Sequence, residues 1–366
     1  LSAALNLGAD AVLVEKEARV GGSCRSLRAG GFTFDMAGHA MFSSDPYVHD
    51  LCRLLLGDNL RWLEREAWIY SNGTHTRYPF ANGNGHTNGN GHSNGNGHAN
   101  GNGHAVGAAR FGYPLRGGLQ ALMDGFLAHL RAEVYLDTEA VRVSPSRGTV
   151  VLSDGSTVPY ETVISTIPLP RLIRLMGPEA TPSVRDAAAG LRYRSVRCVN
   201  LGVGRSRLTE MHWIDYPEDT VFRRVFVPGN ASPHSNPPGG SGLTCEITYA
   251  RDHPLPAEGD DLVRRCIDDC REVGLIGEDD PIWTACQTDH PYAYVAYGDE
   301  SQECEETQER MEHVRAWLLE RDVVLTGNLS EWEYESSDHA FVAGRDAAVA
   351  ARRRCDERRD TARRYA

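Results

Sequence analysis

The chain opens with Leu1, Ala4 and Leu5 at helical spacing, a helix stop at Gly8, and an unbroken apolar run over residues 11–14 that ends at Glu15. A helix, a tight turn and a short buried strand closed by an acid make the second half of a βαβ unit. The first strand and its Gly-rich turn are then expected upstream of Leu1. Farther on, "WIYSNGTHTRY" alternates around Asn72-Gly73, a strong hairpin signal. "GYPLRGGLQALMDGFLAHL" supplies a Gly-Gly turn and an amphipathic helix with Leu119, Leu122, Met123, Phe126 and Leu130 on one face. Short strands follow in "VYLDTEAVRVSP", "TVVLSDGSTVP" and "TVISTIP", the second turning at Asp154-Gly155. From Ser195, "VRCVNLGVG", "RRVFVP" and "LTCEIT" predict a second sheet. Helices are expected over residues 262–273 and 305–319, then a strand in "DVVLTG" and a loop entering a helix through "DHAFVAGRDAAVAARRR". The tail "RRRCDERRDTARRYA" reads as a solvated helix end or a disordered terminus.

One segment breaks the pattern. Residues 81–104, "ANGNGHTNGNGHSNGNGHANGNGH", are four copies of a six-residue unit with no apolar residue larger than alanine. Such a unit cannot bury enough surface to offset the entropy of ordering the chain, and hexapeptide β-helices need a branched apolar residue on each turn. His86, His92, His98 and His104 can loosely chelate a divalent ion, but a flexible hydrated linker is the expectation.

Composition narrows the class. With 366 residues and 41% apolar content the chain has room for one large or two medium globular domains. A net charge of -12 argues against a Lys/Arg-lined nucleic-acid groove. No run approaches the roughly 18 apolar residues that a membrane span needs. Nine cysteines without a compact framework fit a reducing compartment, and no secretory leader is read at Leu1, so a cytoplasmic location is expected. Cys266 and Cys270 are four apart, but no second pair completes a zinc site, and no metal is expected.

Candidate chemistry begins at Glu15, Gly21 and Gly22. An acid ending a strand can accept both ribose hydroxyls of an adenine dinucleotide, and glycines nearby let the backbone approach it. The alternative is an exposed strand-end glutamate before a glycine turn. Residues 136–143 can supply an edge strand against adenine, with Val141 as the backbone contact, and "VISTIP" another strand of the same sheet. At the far end, Gly327, Asp338 and His339 lie in a strand–turn–helix segment whose amides can face a pyrophosphate or a flavin ring.

The segments "VEKEARVGGSCRS", "GFTFDMAGHAMFSS", "YPLRGGLQALMDGFLAHL", "DTEAVRV", "HWIDYPEDT", "NASPHSNPP" and "GNLSEWEYESSDHAFVAG" occur in an order that resembles UDP-galactopyranose mutases, within the wider group of flavin amine oxidases and protoporphyrinogen oxidases. The resemblance covers nearly all the chain outside the repeat and the tail. It implies a Rossmann-like FAD-binding domain, with Arg25 among its cofactor contacts, and a substrate nucleotide sugar. In such mutases the reduced flavin attacks the anomeric carbon through N5, the nucleoside diphosphate leaves, and the sugar ring opens and recloses on a different oxygen. NADPH or NADH then serves only to reduce the flavin. His39 matches a histidine held beside the flavin; the alternative is a histidine satisfied by the turn after Gly38. Arg224 matches an arginine that pairs with the diphosphate, suited to its bidentate fork, and Arg223 is the neighbouring register. Tyr292 and Tyr334 match tyrosines touching diphosphate and sugar.

The sequence departs from the mutases in three places. Asn328 stands where they carry a second arginine, the Gly-rich phosphate turn is not in the chain, and the repeat occupies the place of a helical insert that binds uridine. The resulting expectation is an α/β protein: a discontinuous Rossmann-like FAD-binding domain over residues 1–50, 108–190 and 306–350, and a second domain built on an antiparallel sheet for the substrate over 191–305. Residues 51–80 form a hairpin of that second domain, 81–107 a linker and 351–366 a charged tail. The function read from these is an FAD-dependent nucleotide-sugar mutase with a shortened substrate side. The alternatives are a flavin oxidoreductase of the amine oxidase or protoporphyrinogen oxidase type, and a degenerate flavoprotein domain that only binds. Oligomeric state stays open.

Overall fold

The computed structural model describes residues 1–78, 110–217, 220–296, 301–332 and 337–365, so the repeat and Tyr334 lie outside it. The amino-terminal pattern folds as its periodicity dictates. Helix Ser2–Leu7 stops at Gly8, which has φ 73°, and strand Val12–Val14 follows. This strand pairs in parallel with Glu133–Tyr135, and a second parallel pair joins Val163–Ser165 to Val323–Leu325. The long helix Ser337–Tyr365 packs on the first helix, where Ser2 Oγ donates to the Phe341 carbonyl at 2.6 Å. Gly344 permits that approach, since a Cβ there would lie 2.8 Å from Ser2 Cβ.

Residues 136–143 are not one strand of that layer. Asp137 sits at φ 50°, its N–H bonded to the Glu17 carbonyl, and Thr138 N–H bonds the Glu15 carbonyl, which turns the chain out of the parallel pair. Ala140–Ser144 then joins Thr149–Leu152 and Thr157–Pro159 in a separate three-stranded antiparallel sheet. Val163–Ser165 is therefore not in the same sheet as Val141, and Val141 is 44% exposed. An isolated aspartate adopting the left-handed conformation is the local cause, and periodicity carries no mark of it.

The second layer is a seven-stranded sheet in the order Ile282–Ala296, Arg192–Val203, Ser241–Tyr249, Arg224–Phe226, Trp213–Asp215, Ala67–Ser71, Thr74–Arg77. All neighbours are antiparallel except Trp213–Asp215 with Ala67–Ser71, so the expected antiparallel sheet is mixed at that one joint. The Asn72-Gly73 hairpin closes its edge, with both residues at positive φ. Period-2 alternation sends Val199, Ile214, Val225, Cys245 and Ile247 to one face, where helix Gly259–Glu272 covers them with Leu262, Cys266 and Cys270. Each such side chain contributes roughly 1.5–3 kcal/mol when fully buried. The charged tail belongs to the Ser337–Tyr365 helix rather than to a loose terminus: Arg354 and Arg358 reach Asp322 at 3.0 and 2.7 Å, and Arg359 reaches Glu161 at 3.1 Å. Among the described residues no helix is long and apolar enough to cross a membrane, and no group of three or more His, Cys, Asp or Glu is arranged to hold a metal.

Candidate active site

The other face of the large sheet carries a line of polar residues. Register places Asp215 opposite Arg224, Arg224 opposite Glu246, Glu246 opposite Cys198 and Cys198 opposite Thr288, so one row crosses five strands. Opposite charges directly across an antiparallel pair attract. Arg224 Nε donates to Asp215 Oδ1 at 2.8 Å, and its Nη1 lies 3.9 Å from Glu246 Oε2. Burial alone would lower Arg224, but Glu246 and Asp215 outweigh it and hold the guanidinium above its ordinary range. Arg223 points elsewhere, its Nη1 donating to the Pro217 carbonyl at 2.6 Å. Arg224 is thus the residue in register with the carboxylates.

Against this row lies the turn that follows strand Phe32–Asp35 and carries His39. Three strands of the large sheet and the Arg25 backbone hold it. Met36 N–H bonds the Arg25 carbonyl at 2.9 Å, and His290 Nε2 meets the Met36 carbonyl at 2.6 Å. Gly38 N–H donates to Glu246 Oε1 at 2.8 Å, while Trp213 Nε1 donates to the Gly38 carbonyl at 3.1 Å. Only glycine fits at 38, because a Cβ would sit 2.8 Å from Phe226 Cβ and 2.9 Å from Glu246 Oε1. His39 is partly buried, and burial, reinforced by His290 and the Arg224 charge, pushes its imidazole down to about 4. At neutral pH it is uncharged.

A second arginine enters the same space. Arg65, just before strand Ala67–Ser71, places its guanidinium carbon 4.7 Å above the Phe42 ring and 5.7 Å from Trp213. Burial lowers its pKa, and the neighbouring Arg224 lowers it further, against the pull of Tyr78 and Asp215. Two like charges, one of which feels the other, mark a place where an anion is welcome. Tyr294 also acts on Arg224, whereas Tyr292 accepts a 2.7 Å hydrogen bond from Arg174 and packs on Tyr193 at 4.3 Å between ring centroids. Between them, the long strand shifts register: Tyr294 pairs with Arg194 and His290 with Val196.

The cofactor-side residues sit at the ends of the first layer. Glu15 follows strand Val12–Val14, and its Oε1 accepts from Glu17 N–H at 3.0 Å. Gly21 is packed, since a Cβ there would fall 2.7 Å from Met123 Cγ. Gly22 (φ 55°) and Gly327 (φ 85°) face open space, where a Cβ would meet nothing within 4 Å. Arg25 folds back, with Nη1 3.0 Å from Glu17 and Nε donating to the Gly22 carbonyl. Asn328 begins the short helix Asn328–Glu331, while Asp338 and His339 lie in the first turn of the Ser337–Tyr365 helix. Asp338 is buried, and His339 lines a groove of about 410 Å³ with Val324, Leu325 and Glu331. Open glycine backbone beside a strand-end acid fits the adenosine and phosphates of a dinucleotide.

Parallel strand pairs covered by helices, and a large mixed sheet with a glycine turn seated on its polar face, match a flavin amine oxidase-like fold. Residues 86–352 match the flavin containing amine oxidoreductase family, and residues 1–55 match an NAD(P)-binding Rossmann-like domain. The chain belongs to the flavin-containing amine oxidoreductases and is a flavin-dependent enzyme of that superfamily. Its fold is similar to that of a reduced UDP-galactopyranose mutase, with TM-score 0.82 and 20% identity over 95% of this chain and 90% of that one. It is also similar to a protein described as a protoporphyrinogen oxidase from Exiguobacterium sp. 255-15 (TM-score 0.66, 15% identity, 97% and 95% covered). A putrescine oxidase bound to putrescine superposes with TM-score 0.63 at 13% identity, with 95% of each chain covered.

Of the residues singled out from the sequence, the structure brings together His39 and Arg224, sets Glu15 and Gly327 just past strand ends, and places Gly22 at the start of a short helical turn. It adds Arg65, Asp215, Glu246, His290 and Trp213, which sequence reading missed. Asp215 and Trp213 lie inside the quoted "HWIDYPEDT", but only strand register shows that Asp215 faces Arg224.

Proposed function

We propose that the chain is an FAD-dependent isomerase of a nucleotide sugar, interconverting pyranose and furanose rings. The observation that carries this reading is the pair of arginines, Arg224 and Arg65, set beside a neutral histidine on the cofactor side. Reduced FAD supplies a nucleophile for the anomeric carbon when bound, with NADPH or NADH needed only to reduce it. Arg224 and Arg65 hold the diphosphate and stabilise it as it departs with its negative charge. His39, uncharged, accepts a hydrogen bond or shapes the turn rather than adding a third cation. Glu15, Gly21, Gly22, Arg25, Val141, Gly327, Asp338 and His339 are assigned to the cofactor, and Asn328, Tyr292 and Tyr334 to the substrate. In this reading segments 1–50, 108–190 and 306–350 carry the cofactor, and 51–80 and 191–305 the substrate.

One observation favours a second reading, a flavin oxidoreductase. Asp215 and Glu246 already balance the charge of Arg224, so a neutral or cationic hydride donor is accommodated without displacing either carboxylate. The test reduces the flavin-loaded protein with dithionite and adds nucleotide sugars. A ring-contracted product without net flavin oxidation supports the isomerase; turnover only in the presence of an electron acceptor supports the oxidoreductase; a protein that binds no flavin sinks both. Arg224→Ala is expected to raise the Michaelis constant for a nucleoside diphosphate sugar about ten- to hundredfold, since hydrogen bonds to charged groups contribute about 1.5–3 kcal/mol. An unchanged constant removes Arg224 from the substrate site.

A further inference from the structure

We propose that Glu246 is a positioning residue that couples anion binding at Arg224 to the placement of the His39 turn, an inference that rests on Arg224 being an anion site. Glu246 contacts both partners: Oε1 accepts from Gly38 N–H at 2.8 Å, and Oε2 stands 3.9 Å from Arg224 Nη1. Its place is rigid on both sides. It stands opposite Arg224 across the strand pair, and its own carbonyl accepts from Arg223 N–H at 2.8 Å. The side chain is only 7% exposed, so its charge is divided between these two neighbours rather than with solvent.

The turn cannot answer by sliding. At Gly38 a Cβ would be within 3.0 Å of Phe226, Glu246 and Trp213 atoms, and the Gly38 carbonyl is held by the Trp213 indole at 3.1 Å. A redistribution of Glu246 is therefore felt as a change in the strength of the Gly38 hydrogen bond. Without a ligand the carboxylate is shared. When an anion takes the outer face of Arg224, that guanidinium pulls less on Glu246, and the carboxylate concentrates on Gly38 N–H. The turn carrying His39 is then held more tightly once the anion has arrived, and by linkage a tightened turn favours the anion equally. A glutamate present only to hold the turn would respond to nothing at Arg224.

The flavin-loaded protein, labelled with 15N-glycine, tests this with inorganic pyrophosphate as the probe. In the wild type the Gly38 amide resonance is expected to move downfield as pyrophosphate binds, with the same half-saturation as the binding isotherm. Glu246→Gln keeps an oxygen for Gly38 but removes the charge competing for Arg224. It is expected to bind pyrophosphate roughly tenfold more tightly, within the usual range of coupling between sites, and to lose most of the Gly38 response. Equal affinity and an equal Gly38 response in this variant overturn the proposal. If Glu246→Gln fails to fold, the wild type decides with Arg224→Gln. Binding lost in Arg224→Gln but a silent Gly38 in the wild type overturns the coupling alone. Pyrophosphate binding that is absent from the wild type, or indifferent to Arg224→Gln, overturns the anion site and the coupling together.

Discussion

The two faces of the seven-stranded sheet are made by the same strands and obey opposite rules. On one, Val199, Leu201, Val225 and Cys245 meet helix Gly259–Glu272 in an apolar layer; on the other, Asp215, Arg224 and Glu246 form a charged row beside the His39 turn. Neighbours in sequence, such as Arg224 and Val225, lie on different sides and answer to different physics. The apolar face is held by area removed from water, which tolerates exchange of one aliphatic for another of similar volume. The charged face is held by reciprocal neutralisation, in which removing one member leaves the others buried without compensation.

Three experiments break or sharpen that contrast. Leu201→Ala, at a site with 0% exposure, is expected to lower stability by about 2–5 kcal/mol in denaturant unfolding while pyrophosphate binding by the folded fraction is unchanged. An altered binding constant would show that the faces communicate through the strands. The second concerns acid. His39 has its pKa depressed from 6.5 to about 4, so the unfolded chain takes up its proton first as pH falls. The corresponding stability is complete above pH 6.5 and is lost on descending to about 4, amounting to roughly 3 kcal/mol at 1.36 kcal/mol per unit. His39→Gln should flatten the stability profile in that window, and an unchanged slope would show that His39 is more solvated than its surroundings imply. The smallest effect is expected from deleting residues 81–104, because loop length enters stability only logarithmically and the repeat has no apolar side chain beyond alanine. A loss of stability of more than about 1 kcal/mol would mean that the repeat packs on one of the two layers, since shortening a loop by itself stabilises, by about 0.6 kcal/mol per halving.

Much of this architecture is written in periodicity. The Asn72-Gly73 hairpin, the helix under Leu122, Met123 and Phe126, and the alternating strands after Ser195 all fold where local pattern places them. The break at Asp137 was not legible, because a single residue in the left-handed conformation reverses the path without altering the apolar pattern. The site was legible only in part. Arg224 and His39 stand in conspicuous motifs, but Glu246 sits in "LTCEIT" as an ordinary polar position of a strand, and Arg65 precedes one. Their partners are set by pairing between segments far apart in the chain, which no window of sequence contains.

The shifted register in the long strand Ile282–Ala296 carries a consequence for how such a site changes over generations. The four steps from His290 to Tyr294 run beside the two from Arg194 to Val196, so the surplus there is two residues. An even surplus preserves which side chains point toward the cluster, and His290 and Tyr294 both still act on its charges. A single inserted residue that slipped the register without forming a bulge would instead turn every later side chain of the strand to the opposite side, exchanging the histidine's place for a neighbour's. Length variation in this strand is thus tolerated where it is taken up as a bulge, as it is with one extra residue opposite Gly202 and Val203, and erases the site where it slips the register, leaving composition almost untouched.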